Sequence, residues 1–242
     1  MIPLRDANPT QRRPVITYGL IAICVAVFGL ELWIQATEGD RALERFIGAY
    51  GAVAARITEA PFSTASLGLI TSQFLHGGWL HLGGNMLYLW IFGNNVEDRF
   101  GRLRFLAFYL AGGIVAAVAQ IATAPDSTGP LIGASGAIAA VLGAYVVLYP
   151  GARVLSLVFL GFFYQLIQVP AVIILVLWFV LQLISGVTSL GAAGSGDQVA
   201  FFAHIGGFVL GVLVGLVVRS VGGRGPGEPS GFSPRSDPFG VG

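Results

Sequence analysis

Long apolar runs separated by short polar segments are the feature that most constrains the fold of this chain. The runs cover residues 14–34, 81–96, 103–123, 133–149, 154–186 and 199–218. Their lengths approach or exceed the roughly 20 residues that an α-helix needs to cross the hydrocarbon core of a bilayer. Only 10% of the residues are charged, whereas soluble domains carry about 25%. The sequence therefore predicts an all-α polytopic membrane protein.

The segments outside these runs predict a tail at each end and a structured first loop. Residues 1–13 are polar and are expected to form an N-terminal tail. The first run is longer than the apolar part of a signal peptide and has no convincing cleavage site, so it predicts a retained helix. Residues 35–79 mix charges with aromatic and short apolar pieces, and we expect short amphipathic helices at the membrane surface. Residues 14–220 then form the membrane core, and the Gly/Pro/Ser-rich residues 221–242 a disordered tail.

The distribution of arginines predicts the orientation in the membrane. If residues 154–186 supply one span, the chain crosses six times and only Arg41, Arg45 and Arg56 lie on the side opposite the termini. The termini then share their side with Arg5, Arg12, Arg13, Arg99, Arg102, Arg104, Arg153, Arg219, Arg224 and Arg235. Basic residues accumulate on the cytoplasmic side, so both termini are predicted to be cytoplasmic. A seven-span count would distribute the arginines almost equally between the two sides, so the sequence favours six spans. The first part of residues 154–186 is then an interfacial connection before a fifth span that starts near Pro170.

Four polar side chains fall at a similar depth in this topology. His81 and Asn85, one helical turn apart, open the second span, Ser135 opens the fourth, and His204 lies near the start of the sixth. These three spans all begin at the outer face. The fourth run is about 25 Å long as a helix, shorter than the core of about 30 Å, so its outer end lies below the headgroups. Irregular backbone there requires surrounding protein or water, so we expect an aqueous recess beneath the loop of residues 124–132.

Ser135 has two interpretations. It lies in the sequence GASG at residues 133–136, and small residues let transmembrane helices approach one another closely, so the serine can serve packing alone. The alternative is a nucleophile kept uncrowded so that a carbonyl carbon can reach it. His204 favours the second interpretation, because ionisable residues inside spans are candidates for function.

The glycines around these residues are predicted to serve packing. Gly206, Gly207 and Gly211 in the last run allow close approach of that helix, which would bring His204 within hydrogen-bond distance of Ser135. The glycines assigned to packing at the site are Gly133, Gly136, Gly207 and Gly211. The third histidine, His76, is assigned to loop structure.

Three motifs together resemble those of the rhomboid intramembrane serine proteases. GASG at 133–136, His204 in AHIGG and HLGGN at 81–85 are similar to the GxSG, late-histidine and HxxxN motifs of that family, over residues 14–220. The resemblance implies that Ser135 is the nucleophile and His204 the general base, a dyad without a carboxylate. It also implies an oxyanion hole made of His81, Asn85 and the Ser135 backbone N–H. EDRFG at 97–101 resembles the polar turn after the second span, to which a structural role is assigned.

The resemblance implies hydrolysis of a peptide bond in or near the outer end of a substrate's transmembrane helix, in single-span membrane proteins, without cofactor or metal. No transit peptide is evident, which favours a prokaryotic cytoplasmic membrane. One departure is visible: some members carry an aromatic residue one turn after the serine, where it stacks on the histidine, and this chain has Ala139. The support of the His204 ring is therefore open.

Other functions have weaker signals. A rhomboid-like protein that binds client helices without cutting them is the main alternative, although such proteins usually lack the serine or the histidine. The GxGD string at residues 194–197 has no second aspartate in a span, and no HExxH sequence supplies zinc ligands. A transporter would need charged residues near the midplane or an inverted repeat. The near-neutral net charge of +1 gives no indication of nucleic-acid binding.

Overall fold

A computed structural model describes residues 1–160, 163–191 and 201–221, and most of these residues are helical. The α-helices are α1 (Val15–Glu38), α2 (Asp40–Tyr50), α3 (Ala54–Glu59), α4 (Gly68–Thr71), α5 (Trp79–Tyr88), α6 (Asn94–Phe100), α7 (Arg102–Thr123), α8 (Ser135–Leu148), α9 (Ala171–Gly191) and α10 (Phe201–Val221). The strands are β1 (Ile2–Asp6), β2 (Ala52–Val53), β3 (Pro130–Leu131), β4 (Arg153–Leu160) and β5 (Phe163–Pro170). The predicted C-terminal tail after residue 221 and most of the Gly-rich segment before α10 lie outside the described residues.

Apart from the first half of the run at 154–186, the apolar runs form helices, which confirms the prediction of a mostly helical membrane protein. Three helices, α1, α7 and α10, are long and apolar enough to cross a bilayer, and α8 and the first half of α9 are shorter apolar helices. The run at 81–96 is a continuous helical path in which a π turn at Leu89–Gly93 joins α5 to α6. Residues 35–79 contain α2, α3 and α4 and two 3₁₀ turns, Thr64–Leu67 and Ser72–Phe74, in agreement with the expectation of short helices.

The all-α prediction misses a small sheet. Strand β4 pairs antiparallel with β5 to form a hairpin, and β1 adds to the other edge of β4. The polar tail of residues 1–13 therefore contains an ordered strand, and the connection before α9 is a hairpin. Sequence alone could not reveal this, because the partner strands β1 and β4 are about 150 residues apart in the chain. Helix α9 begins at Ala171, next to the predicted Pro170.

Helix α8 is the centre of the core. All its residues from Gly136 to Tyr145 are buried, and α7 and α10 pack closely against it through glycines. A Cβ atom added at Gly211 of α10 would lie 2.0 Å from the carbonyl oxygen of Ala140, and one at Gly112 of α7 would lie 2.6 Å from the Ala140 Cβ. Such close backbone approach provides dispersion contacts and is typical of helix packing in membranes. It fixes the depth of α8 relative to its two neighbours.

The turn between α6 and α7 holds the N-terminal segment against the bundle. The buried carboxylate of Glu97 accepts hydrogen bonds from the backbone N–H groups of Ile16 and Thr17, at 3.0 and 2.7 Å, and from the Thr17 hydroxyl at 2.8 Å. These amides belong to the first turn of α1, which has no intrahelical acceptor for them. A carboxylate there also interacts favourably with the helix dipole. The Glu97 contacts agree with the structural role that was assigned to this turn.

A second polar cluster ties the N-terminal strand to α8. The Tyr145 hydroxyl donates to Asp6 Oδ2 at 2.6 Å, and Asn8 Nδ2 donates to the same hydroxyl oxygen at 3.0 Å. The Asn8 backbone N–H also donates to Asp6 Oδ1 at 2.8 Å. Desolvation by burial raises the pKa of Asp6 above its ordinary value of 3.8, against the lowering effect of these hydrogen bonds. The strand is thus anchored at the end of α8 that lies farthest from Ser135.

Candidate active site

Ser135 and His204 are hydrogen-bonded to each other. Ser135 is the first residue of α8, and His204 lies one turn into α10. The distance between Ser135 Oγ and His204 Nε2 is 2.8 Å. The His204 ring is 3% exposed, and among the described residues its Nδ1 atom has no hydrogen-bond partner. A serine hydroxyl whose proton can pass to an adjacent imidazole is an activated nucleophile.

Glycines make this contact possible. A Cβ atom at Gly207, one turn from His204, would lie 2.2 Å from the carbonyl oxygen of Gly136, and one at Gly136 would lie 2.5 Å from the Ala116 Cβ. A side chain at either position would move α10 or α7 away from α8. Gly206 also faces α7, since a Cβ there would lie 2.5 Å from the Ala119 Cβ. Four glycines singled out from the sequence therefore lie where helices touch: Gly136, Gly206, Gly207 and Gly211.

The His81 ring accepts a hydrogen bond from a backbone N–H group. The backbone N–H of Gly77 donates to His81 Nδ1 at 3.3 Å, so in the neutral ring the proton is on Nε2. The Nε2 atom faces Gly133, where an added Cβ would lie only 2.6 Å from it. Gly133 also has φ +118°, a conformation that residues with a side chain rarely adopt. Gly133 thus leaves room for an imidazole N–H donor beside the serine, a role beyond helix packing.

Two further donors lie close to this N–H. Asn85 is buried, and its amide nitrogen Nδ2 has no partner among the described residues. A buried amide left without an acceptor is costly unless a ligand or water satisfies it. The Ser135 backbone N–H lies in the first turn of α8 and has no acceptor within the helix. His81, Asn85 and Ser135 all line the same cavity, and a Cβ atom added at Gly133 would lie 2.6 Å from His81 Nε2 and 3.8 Å from Asn85 Nδ2.

A cavity of about 520 Å³ connects these groups. Its walls include Ser135, His204, His81 and Asn85, and the loop residues Pro130–Leu131 close one side. That loop is fixed to the first loop, because β3 pairs with β2 and the Gly133 N–H donates to the Ser72 carbonyl at 2.9 Å. A recess beneath residues 124–132 was expected from the short fourth run, and the structure has a cavity at this position.

The sequence interpretation missed Trp178, which contacts the histidine. The Trp178 and His204 ring centroids are 5.2 Å apart at an interplanar angle of 61°, an edge-to-face arrangement. Ala139, one turn after the serine, is fully buried and supplies no ring. Trp178 lies on α9, within a long apolar run. The presence of a tryptophan in that run is the only signal that the sequence offers for its role. Its neighbour along α9, Phe179, packs against Phe208 of α10.

His76 belongs to the loop that supports His81. Its backbone N–H donates to the carboxylate of Glu31 at 3.2 and 3.4 Å, and its Nδ1 donates to the Phe74 carbonyl at 3.2 Å. The His76 and His81 ring centroids are 5.2 Å apart. Burial, and to a lesser extent the nearby His81, lowers the pKa of His76 to about 4. The alternative motif at 194–197 lies outside the described residues.

The fold and the site define a polytopic helical membrane protein in which a serine and a histidine share a hydrogen bond at the wall of a cavity. Residues 64–221 match the family model described as the Rhomboid domain. The chain belongs to the rhomboid family, as the three motifs suggested.

Relatives in several organisms support this membership. The chain is 30% identical over 216 residues to Rhomboid protein 1, mitochondrial, of Saccharomyces cerevisiae, which covers 84% of this chain and 53% of the relative. It is 36% identical over 133 residues to Rhomboid protease GluP of Bacillus subtilis, or 54% of this chain and 24% of the relative. It is 36% identical over 115 residues to Presenilin-associated rhomboid-like protein A, mitochondrial, of Danio rerio. That match covers 46% of this chain and 28% of the relative. The chain thus spans about half or less of the length of these relatives.

Proposed function

We propose that this chain is an intramembrane serine endopeptidase that cuts a peptide bond in or near the outer end of a substrate transmembrane helix. The observation that carries the proposal is the 2.8 Å contact between Ser135 Oγ and His204 Nε2 at the wall of the cavity. The relationship to a protein named as a protease, GluP of Bacillus subtilis, supports it at the family level.

The reaction proceeds by acyl transfer. Ser135 Oγ attacks the scissile carbonyl carbon while its proton passes to His204 Nε2. The developing oxyanion accepts hydrogen bonds from His81 Nε2–H, Asn85 Nδ2 and the Ser135 N–H. The imidazolium then gives the proton to the leaving amine as the C–N bond breaks. A water molecule attacks the acyl-serine with His204 again as base, and the acyl–Oγ bond breaks as His204 returns that proton to Ser135 Oγ, which releases the new C-terminal carboxyl group. Each oxyanion donor contributes about 10²–10³ in rate in comparable hydrolases.

The topology assigned to this function has six spans. α1, α7, α10 and the shorter apolar helices α8 and α9 supply five of them, and the α5–α6 path supplies the sixth. Both termini lie on the cytoplasmic side, because ten of the thirteen arginines then do so. The cavity opens toward the outer face, where water can enter. A prokaryotic cytoplasmic membrane stays a prediction, since the relatives include mitochondrial proteins as well as a bacterial one.

Substrates are single-span proteins whose helix unwinds at its outer end. Inside a helix each carbonyl is hydrogen-bonded and inaccessible, and within lipid that bond is costly to break. We expect small residues at the cut and Gly, Pro or polar residues beyond it. Cleavage of matched single-span segments with and without a helix-breaking residue tests this expectation. Equal rates for both segments would contradict it.

The test of the reaction is cleavage of a generic single-span substrate by the full chain in detergent. We expect the wild type to cut, and the Ser135→Ala and His204→Ala variants to lose activity. Ser220→Ala is the matched control, because this exposed serine lies on α10 and bonds only the Val217 carbonyl within its own helix. A serine-reactive fluorophosphonate should label the wild type at Ser135, as peptide mass analysis can show.

The outcomes separate the proposal from its alternative. Cleavage that survives Ser135→Ala would overturn the mechanism. If none of the folded proteins cuts or reacts with the probe, the chain is a client-binding member of the family. For the oxyanion hole, Asn85→Ala should lower kcat by about 10²–10³ with little change in KM. Asn94→Ala, in the same helical path but away from the cavity lining, should leave kcat unchanged.

A further inference from the structure

A second cleft lies at the opposite end of α7 from the active-site cavity. It has a volume of about 560 Å³ and runs between the segment before α1 and the turn before α7. The catalytic cavity contacts α7 at Gly113, Ala116 and Ala117, whereas this cleft contacts its first residues. The two sites are therefore separated by about 15–20 Å along the helix axis, at 1.5 Å per residue.

Four arginines line this cleft together. Arg12 and Arg13 come from the N-terminal segment, and Arg102 and Arg104 from the first turn of α7. All four are exposed on the protein surface. The arginines come from segments about 90 residues apart, so their convergence is a product of the fold and not of a local basic run.

The carboxylates of the cleft are engaged by backbone groups. Both oxygens of Glu97 accept hydrogen bonds from the start of α1. The two oxygens of Asp98 accept from the backbone N–H groups of Gln11 and Arg12, at 2.8 and 3.1 Å. Two carboxylates stand against four guanidinium groups, so the cleft has an excess of positive charge. The acidic residues serve to hold the N-terminal segment in the position that brings its arginines to α7.

The surroundings of the arginines are those of a lipid interface. Leu103, between the two arginines of α7, is 81% exposed, and Phe100 also lines the cleft. Helix α7, which is long and apolar enough to cross a bilayer, begins at this point, and the ends of such helices meet the lipid headgroups. Guanidinium groups bind phosphate oxygens in pairs with a fixed geometry. The first backbone N–H groups of α7 have no intrahelical acceptors and add further donors.

We propose that this cleft binds the phosphate of an anionic phospholipid in the cytoplasmic leaflet. The four guanidinium groups hold the phosphate oxygens, and the exposed Leu103 contacts the adjoining acyl chain. The bound lipid bridges the N-terminal segment and α7, which stabilises the folded protein by mass action. The proposal is independent of the catalytic activity, because it involves no residue of the active-site cavity.

The test is lipid binding to the full chain, measured by native mass spectrometry after removal of endogenous lipid. Phosphatidylglycerol and phosphatidylcholine are titrated in parallel, with inorganic phosphate as a third arm. We expect at least one phosphatidylglycerol bound about tenfold more tightly than phosphatidylcholine, and a higher Tm with phosphatidylglycerol than with phosphatidylcholine. Equal binding of both lipids would overturn the proposal. An equal rise in Tm with inorganic phosphate at the same concentration would overturn the assignment to a lipid.

Variants locate the site. Arg12→Gln/Arg13→Gln and Arg102→Gln/Arg104→Gln should each remove the preference for phosphatidylglycerol. Two double variants are used so that one of them still tests the proposal if the other fails to fold. The control is Arg41→Gln/Arg45→Gln, at two positions of α2 outside the cleft, and it should retain the preference. Retention of the preference by a folded variant of either cleft pair would overturn the proposal.

Discussion

The indole ring of Trp178 meets the imidazole of His204 edge to face, with 5.2 Å between the ring centroids. This contact comes from α9, whereas the aromatic residue expected from the family resemblance would come from α8, where this chain has Ala139. The His204 Nδ1 atom has no hydrogen-bond partner within the described parts of the chain. Packing against Trp178, together with the bond to Ser135, therefore restricts the rotation of the ring.

Replacing Trp178 tests it as a positioning residue. Trp178→Ala should lower kcat about two- to tenfold, since an aromatic pair of this kind contributes about 0.5–1.5 kcal/mol. KM should change little, and fluorophosphonate labelling of Ser135 should slow in parallel. Trp178→Phe should restore most of the rate. Val176→Ala, at an exposed position of the same helix, is the control, and an equal loss of rate in this control would contradict a specific role for Trp178.

Replacing Gly133 should damage the oxyanion hole. An added Cβ would lie 2.6 Å from His81 Nε2, and the φ of +118° is unfavourable for alanine. We expect Gly133→Ala to displace the His81 ring and lower kcat by about 10²-fold, the effect of losing one donor. Gly129→Ala in the same loop has only one neighbour, the Ser127 hydroxyl at 4.0 Å, and should be close to wild type. Full activity of a folded Gly133→Ala protein would argue against the His81 donor.

Replacing glycine by alanine should lower the stability of the protein at helix contacts and raise it at open positions. In Gly207→Ala and Gly211→Ala the new methyl groups would meet backbone oxygens at 2.2 and 2.0 Å. We expect a loss of about 1–3 kcal/mol from overpacking and a lower Tm in detergent. Gly19→Ala and Gly29→Ala in α1 meet nothing within 4 Å. These controls should raise the stability slightly, because alanine is the better helix former, and a uniform effect at all four positions would contradict the packing role.

The contribution of His76 to the stability of the protein should be lost in acid. Its pKa in the folded protein is about 4, below the ordinary 6.5, so the unfolded state binds more protons between these values. The His76 contribution to the free energy of unfolding therefore rises with pH from about 4 to 6.5, by up to about 3 kcal/mol, and is lost as the pH falls through that window. Thermal unfolding in detergent at pH 4.5 and 7 measures it. His76→Gln should flatten this dependence, and an unchanged slope in the variant would assign it to other groups.

Much of the architecture could be predicted because lipid imposes strong rules on sequence. A span must be apolar and helical, so the boundaries of α1, α7 and α10 are visible in the apolar runs. The start of α9 near Pro170 was predicted from the six-span count, because the run of residues 154–186 is too long for a single span. Strand pairing gave no comparable signal. The partners β1 and β4 lie at distant positions, and neither has the strict alternation that marks a strand.

In the candidate site, too, some features follow from the sequence and others from the tertiary structure. The sequence by itself determined the family and the candidate residues Ser135, His204, His81 and Asn85, because each of these polar side chains is conspicuous within an apolar helix. Only the tertiary structure decided the 2.8 Å Ser135–His204 contact, the orientation of the His81 ring and the support by Trp178. Those features depend on distances between helices far apart in the chain. Close packing at glycines sets these distances, and that packing depends on two helices at once, so it cannot be inferred from either segment alone.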